Sequence, residues 1–336
     1  MPGAAMVTRP ARPHDGCMTN NMRVRIGAVF VGLATVIGFV SPSVAGASHR
    51  DDRPGSYLAL GDSVTFGYSP LLEDPWIPER FVGYPELIEQ RTGMPTTNLG
   101  CPGQTAQALV SRTALDNGCF DFRDFAREEG IIVLHTDYDG TQLDAALAAV
   151  RSSTPPSLIS IQGGGNDTTI CGEQDDPGSC LDATIPKVTA SLGEVVSQLR
   201  SAGYGGRIVL VGYHLVPGLE DPLRRINQAV ERAARDGDAA FADVARPFER
   251  YAQRHGGDLC SAGLLVALPD GSCDLHPTSV GQDIIADAVL DAAYGHHHHH
   301  HRSDCSNHGD REWADHETGG ESRRGGHHGH HGHHAH

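Results

Sequence analysis

The chain has 336 residues and a formal net charge of −16. Its two ends differ sharply in composition from its middle, and segment 48–295 alone carries 18 basic and 35 acidic side chains, a net −17. So acidic a surface argues against nucleic acid as a partner and against simple docking to anionic membranes, but it says little about neutral ligands.

The first recognisable element is a leader. Met22-Arg23-Val24-Arg25 precedes an apolar run from Ile26 to Val40, and small residues follow in Ser43-Val44-Ala45 and Ala45-Gly46-Ala47. A basic stretch, an apolar stretch and an A-x-A-like site read as a Sec signal peptide, with cleavage expected after Ala45 or Ala47 and a start at Met18 or Met22. A membrane anchor is the weaker reading, because the apolar run falls short of the roughly 20 residues a spanning helix needs. The expectation is a leader over 1–47, one α/β domain over 48–295, and a secreted, extracellular protein.

Within that domain, apolar β-rich runs alternate with helical patterns, which predicts a parallel sheet covered by helices, a three-layer α/β/α sandwich. Strands are expected at Tyr57–Gly61, Thr96–Leu99, Ser157–Gln162, Arg207–Gly212 and Ala239–Val244. Helical spacing marks Pro85–Arg91, Thr141–Arg151, Ile185–Ala202, Pro222–Ala234 and Val280–Ala293. Six cysteines fall in this region and pair by proximity as Cys101 with Cys119, Cys171 with Cys180, and Cys260 with Cys273. Proximity leaves the roughly 15 possible connectivities open. Zinc is the rival use, but no C-x₂-C spacing supports it, and export favours disulfides.

The last segment, 296–336, holds fifteen of the 21 histidines and almost no apolar residues. Such a composition cannot bury enough surface to order itself, so the segment reads as a disordered tail with weak affinity for Zn²⁺, Ni²⁺ or Cu²⁺, or as a solvated tail without a role.

Four short segments carry chemistry, three of them at expected strand ends, where ligands bind in open α/β sheets. Gly61-Asp62-Ser63 presents a serine hydroxyl at a strand-to-helix junction, a position suited to a nucleophile, although a simple Ser/Asp helix cap reads the same way. Gly100-Cys101-Pro102-Gly103 leaves the Gly103 N–H free of a strand partner. Asn166, after Gly163-Gly164-Gly165, offers a side-chain amide where the backbone passes close to a substrate. Each is also an ordinary turn sequence. Asp274-Leu275-His276-Pro277 supplies an imidazole as general base, and His135, His214 and His255 lack a comparable setting.

In this order the four segments resemble blocks I, II, III and V of the SGNH/GDSL hydrolase superfamily, over essentially the whole of 48–295. The six cysteines, the Asn98-Leu99-Gly100-Cys101-Pro102-Gly103 segment and Val209-Leu210-Val211-Gly212-Tyr213 look most like its exported actinobacterial lipase/esterase branch. The resemblance implies a flavodoxin-like sheet of five parallel strands in the order 2-1-3-4-5. It also implies three disulfides, Ser63 as nucleophile, His276 as base, and an oxyanion hole from Ser63, Gly103 and Asn166. One departure stands out: the family pattern is D-x-x-H, whereas Cys273 stands three before His276 and Asp274 only two before. Asp274 is thus an uncertain orienting acid, and a Ser-His dyad supported by a backbone carbonyl is the slightly favoured expectation.

The expected reaction is hydrolysis of a carboxylic ester through an acyl-enzyme, needing neither metal nor organic cofactor. A fatty-acyl or lipid ester is the first expected substrate and an acetylated carbohydrate the second. Phe66, Tyr68, Trp76, Ile77 and Phe81 are candidate acyl-site residues, with packing beneath the first helix as their alternative role. From another class comes a metal-binding protein acting through its histidine tail.

Overall fold

The computed structural model describes residues 55–72 and 77–295. The expected leader and its cleavage sites, Trp76, Cys17, Cys305 and the histidine tail lie outside the described residues.

Five strands form one sheet: β1 (Tyr57–Leu60), β2 (Thr96–Asn98), β3 (Leu158–Gln162), β4 (Arg207–Val211) and β5 (Ala240–Ala242). All pair in parallel, in the order β2-β1-β3-β4-β5, with Tyr57 opposite Thr96 on one side and Leu158 on the other. Every residue of β1 and β3 is buried, as is the Ile208–Val211 run of β4. Such continuous burial is what a parallel sheet with helices on both faces requires.

The helices are α1 (Ser63–Phe66), α2 (Tyr84–Thr92), α3 (Cys119–Glu129), α4 (Gln142–Val150), α5 (Gly165–Gly172), α6 (Pro177–Ser201), α7 (Glu220–Asp236), α8 (Ala245–His255) and α9 (Ser279–Tyr294). One layer packs α6 against α4, α5 and α7; the other packs α9 against α2 and α8. On α7 the residues Leu223, Ile226, Val230 and Ala233 recur at helical spacing and are buried. Each of the three larger ones contributes about 1.5–3 kcal/mol on full burial. The result is the expected three-layer α/β/α sandwich with the expected strand order.

Some elements differ from expectation. The sixth helix starts at Pro177, well before Ile185, because Asp176 caps it by accepting from Ser179 N at 3.1 Å, and Pro186 is carried inside it. Helices α3, α5 and α8 lie outside the expected helical segments; α5 lacks an apolar period, whereas α8 has a clear one with Phe248 and Ala252 buried. An antiparallel pair, β6 (Leu265–Ala267) and β7 (Cys273–Pro277), stands apart from the main sheet and leads into α9. Disulfides join Cys101 to Cys119, Cys171 to Cys180 and Cys260 to Cys273. Among the described residues no helix is long and apolar enough to cross a membrane.

Candidate active site

Ser63 stands one turn beyond the end of β1, and its backbone is held from all sides. Asp62 adopts an extended conformation and caps α1, accepting from Val64 N at 2.9 Å. Its other carboxylate oxygen accepts from the Tyr213 hydroxyl at 2.6 Å. Burial pushes the Asp62 carboxyl up, and these hydrogen bonds oppose the rise. Three buried glutamines complete the support. Gln142 bridges Gly61, accepting from its N–H at 2.7 Å and donating to its carbonyl at 2.8 Å. Gln282 on α9 donates to Val64 O at 3.0 Å and accepts from Tyr84 N at 2.9 Å. Gln162 accepts from the Thr65 hydroxyl at 3.1 Å and donates to Gly212 O at 3.0 Å.

Across from it, β7 carries His276. His276 Nε2 lies 2.9 Å from Ser63 Oγ, and His276 Nδ1 lies 2.5 Å from Asp274 Oδ1. The same oxygen accepts from the His276 backbone N–H at 2.8 Å. Burial would raise the Asp274 carboxyl, but the bonds from His276 outweigh it and hold the group below its ordinary value. These partners assign the proton on Nδ1 and leave Nε2 free to accept from the serine. The geometry is therefore a hydrogen-bonded line from Ser63 through His276 to the Asp274 carboxylate, with that carboxylate where a backbone carbonyl was the expectation. The reason is local: β7 is extended, and in a strand residues two apart share a face, which brings Asp274 beside His276 without a D-x-x-H turn. The Leu275 carbonyl of the same segment is engaged elsewhere, by His214 Nε2 at 2.9 Å.

Gly103 and Asn166 border the same cavity as Ser63 and His276. Gly103 has φ +87°, and a Cβ there would sit 2.2 Å from Asn117 O, so only glycine suits the turn. Among the described residues its N–H has no protein acceptor. The Asn166 amide is oriented by two bonds: its Oδ1 accepts from Asn117 Nδ2 at 3.1 Å, and its Nδ2 donates to Gln104 O at 3.0 Å. One N–H of that amide is left for a ligand. Asp167 ties this loop to the previous one by accepting from Ala106 N at 2.9 Å, and burial pushes its carboxyl up to about 6.

The cavity measures about 510 Å³. Phe66, Tyr68 and Phe81 line it as expected, and Phe66 and Phe81 also pack together below it, ring centroids 5.0 Å apart. Ile77 does not line it and is 40% exposed. Phe122, Val216, Leu219 and Leu223, which no local motif marks, add further apolar wall beside Val64, Pro102 and Leu275. Tyr68 sets its ring edge-on to His276 at 4.7 Å. His135 reaches the Phe66 carbonyl and His255 that of Tyr251, and neither borders the cavity. Among the described residues no group of three His, Cys, Asp or Glu side chains is arranged to hold a metal ion.

A parallel sandwich with a serine, an imidazole and a carboxylate in line beyond its strand ends has the arrangement of the serine hydrolases, a class that includes both esterases and peptidases. Residues 59–284 match the model of the GDSL-like lipase/acylhydrolase family, and the chain belongs to that family. Among curated proteins no sequence matches it. Solved structures with a similar fold include phospholipase A1 from Streptomyces albidoflavus NA297, at 19% identity and TM-score 0.47, covering 71% of this chain and 99% of that one. The extracellular lipase from Streptomyces rimosus has 22% identity and TM-score 0.45, covering 71% and 100%. A catalytic mutant of the acetylxylan esterase Axe2 from Geobacillus stearothermophilus has 18% identity and TM-score 0.44, covering 72% and 96%.

Proposed function

We propose that this ester hydrolase is an exported enzyme acting on fatty-acyl esters through an acyl-enzyme on Ser63, with 48–295 as its catalytic domain. The observation that carries the reading is the line Ser63 Oγ, His276 Nε2, His276 Nδ1, Asp274 Oδ1, with gaps of 2.9 and 2.5 Å. Ser63 Oγ attacks the ester carbonyl carbon while His276 Nε2 takes its proton, and Asp274 stabilises the imidazolium that results. The oxyanion is held by the N–H groups of Ser63 and Gly103 and by Asn166 Nδ2. His276 returns the proton to the departing alkoxide. Water then attacks the acyl carbon, giving its proton to His276, and the serine is regenerated with release of the carboxylic acid.

The apolar wall of Phe66, Phe122, Val216, Leu219 and Leu223 supports an acyl chain in preference to a sugar. The three disulfides and the basic-apolar leader support export. The histidine tail enters no step.

The test is turnover of p-nitrophenyl esters from acetyl to palmitoyl, with fluorophosphonate labelling of Ser63. Ser63→Ala is expected to lose activity on the order of 10⁴-fold or more and to lose the label. Wild-type turnover extending well past butyryl supports the fatty-acyl substrate. Collapse beyond butyryl would replace it with an acetylesterase, and full activity of Ser63→Ala would overturn the mechanism.

A further inference from the structure

Two adjacent residues after β4 reach opposite halves of the site. Tyr213 donates its hydroxyl to Asp62, next to Ser63, at 2.6 Å, and His214 donates Nε2–H to the carbonyl of Leu275, next to His276, at 2.9 Å. The dipeptide is itself clamped by Asn227 of α7, which accepts from Tyr213 N and donates to Tyr213 O, each at 2.7 Å. Ser63 and His276 are 213 residues apart in sequence, and β7 is not part of the sheet that carries Ser63. Their spacing depends on whatever links the two halves.

We propose that Tyr213 and His214 form one positioning strut, anchored on Asn227, that sets the Ser63 to His276 distance. This rests on the Ser63–His276 mechanism proposed above.

His214 is suited to the task. It is 2% exposed, and its ring stacks on Phe248 with centroids 4.9 Å apart. Its Nδ1 is buried with no hydrogen-bond partner, a cost that a side chain present only to fill space would not carry. Burial pushes the imidazole down to about 4, so near neutrality the ring is uncharged and places no second cation beside His276. The strut acts at the backbone of the base segment. Both residues also border the cavity, but their hydrogen bonds go to Asp62 and to the Leu275 carbonyl and not to the reacting atoms of Ser63 and His276, and a positioning residue of this kind affects rate more than binding. A misplacement of about 1 Å costs on the order of 100-fold.

The test compares His214→Gln with His214→Met in the full-length, oxidised chain. The two side chains are alike in length, but only glutamine can donate to Leu275 O. His214→Met is expected to lower kcat for p-nitrophenyl acetate, and the rate of fluorophosphonate labelling of Ser63, on the order of 10- to 100-fold with KM little changed. His214→Gln recovers most of that loss. Combining Tyr213→Phe with His214→Met is expected to cost less than the product of the single losses, as for two parts of one device. Equal effects of Gln and Met, or fully multiplicative losses, would overturn the strut while leaving the mechanism standing. Labelling and turnover that survive Ser63→Ala would instead remove the mechanism on which it rests.

Discussion

The two halves of the site are built by opposite means. The nucleophile turn is rooted in the main sheet, and Gln142, Gln162, Gln282 and Tyr213 hydrogen-bond to it or around it from four separate elements, all buried. The proposed base, His276, sits on a two-stranded ribbon outside that sheet, tied by the Cys260–Cys273 bond, the β6 pairing and the Leu275 carbonyl's bond to His214. Electrostatics divide the same way. Burial raises Asp62 and Asp167 on the sheet side, whereas hydrogen bonds from His276 lower Asp274 on the ribbon side. A sheet edge alone gives a rigid nucleophile at the cost of buried carboxylates. A two-stranded ribbon is only marginally stable by itself, so it needs cross-links to hold a base in register.

The largest expected effect tests the rigidity of the sheet side. Asn166→Ala removes one oxyanion donor and is expected to lower kcat on the order of 10²- to 10³-fold, with little change in KM or in the unfolding transition. The loop carrying it stays anchored by Asp167 on Ala106 N. Kinetics and thermal unfolding on the same sample provide the check. Full activity would remove Asn166 from the oxyanion hole, and a large loss of stability would show that the sheet side is less self-supporting than its hydrogen bonds imply.

A second comparison sets one disulfide against another. Cys273 immediately precedes Asp274, whereas Cys171–Cys180 joins the end of α5 to the start of α6. Replacing either pair by serine is expected to cost about 2–4 kcal/mol in stability. Only loss of Cys260–Cys273 should also lower kcat, by about 10-fold, because only that loop carries the base. Denaturant unfolding and turnover of the two double variants decide it. Equal kcat in both would mean that β6 pairing and the His214 contact hold His276 unaided.

The same division explains what the sequence made legible. Strands β1, β3 and β4 announce themselves because burial on both faces leaves continuous apolar runs, and Ser63, Gly103, Asn166 and His276 stand out by their turns and strand ends. The strand order came from family resemblance, since periodicity carries no pairing information. The ribbon was invisible: β7 is short, ends in proline and is mostly half-buried, so no clean alternation marks it. Only in a strand does the two-residue spacing of Asp274 and His276 place a carboxylate on the imidazole. Helix α5 opens on Gly-Asn-Asp and reads as a turn until α6 packs on it. The supporting contacts, Gln142 to Gly61 or Gln282 to Val64, join residues 81 and 218 apart, and no local pattern encodes such a contact.

The smallest effect is also the one that separates the two halves by pH. Asp167 is buried, and its folded value of about 6 lies above the ordinary 3.8. A carboxyl raised on folding contributes stability that is fully present below the unfolded value and is lost as pH rises through the folded one, here between about pH 4 and 6. The difference corresponds to a loss on the order of 3 kcal/mol at neutrality. Asp274 has the opposite sign: being lowered, it contributes stability that is present above its unfolded value and lost only as pH falls through the folded one, below about pH 4. Asp167→Asn keeps an acceptor for Ala106 N and cannot ionise, so it is expected to match wild type at pH 4 and to exceed it in stability by 1–3 kcal/mol, roughly, at pH 7. Urea unfolding of both proteins from pH 3 to pH 8 measures the difference. A gap that opens between pH 4 and 6 assigns that window to the sheet side, while the steeper fall below pH 4, common to both proteins, belongs in part to the ribbon's Asp274. A variant less stable than wild type at pH 7 would mean that the Asp167 carboxylate is held in its ionised form by its contact with Ala106, and that the sheet side does not bear the cost assigned to it.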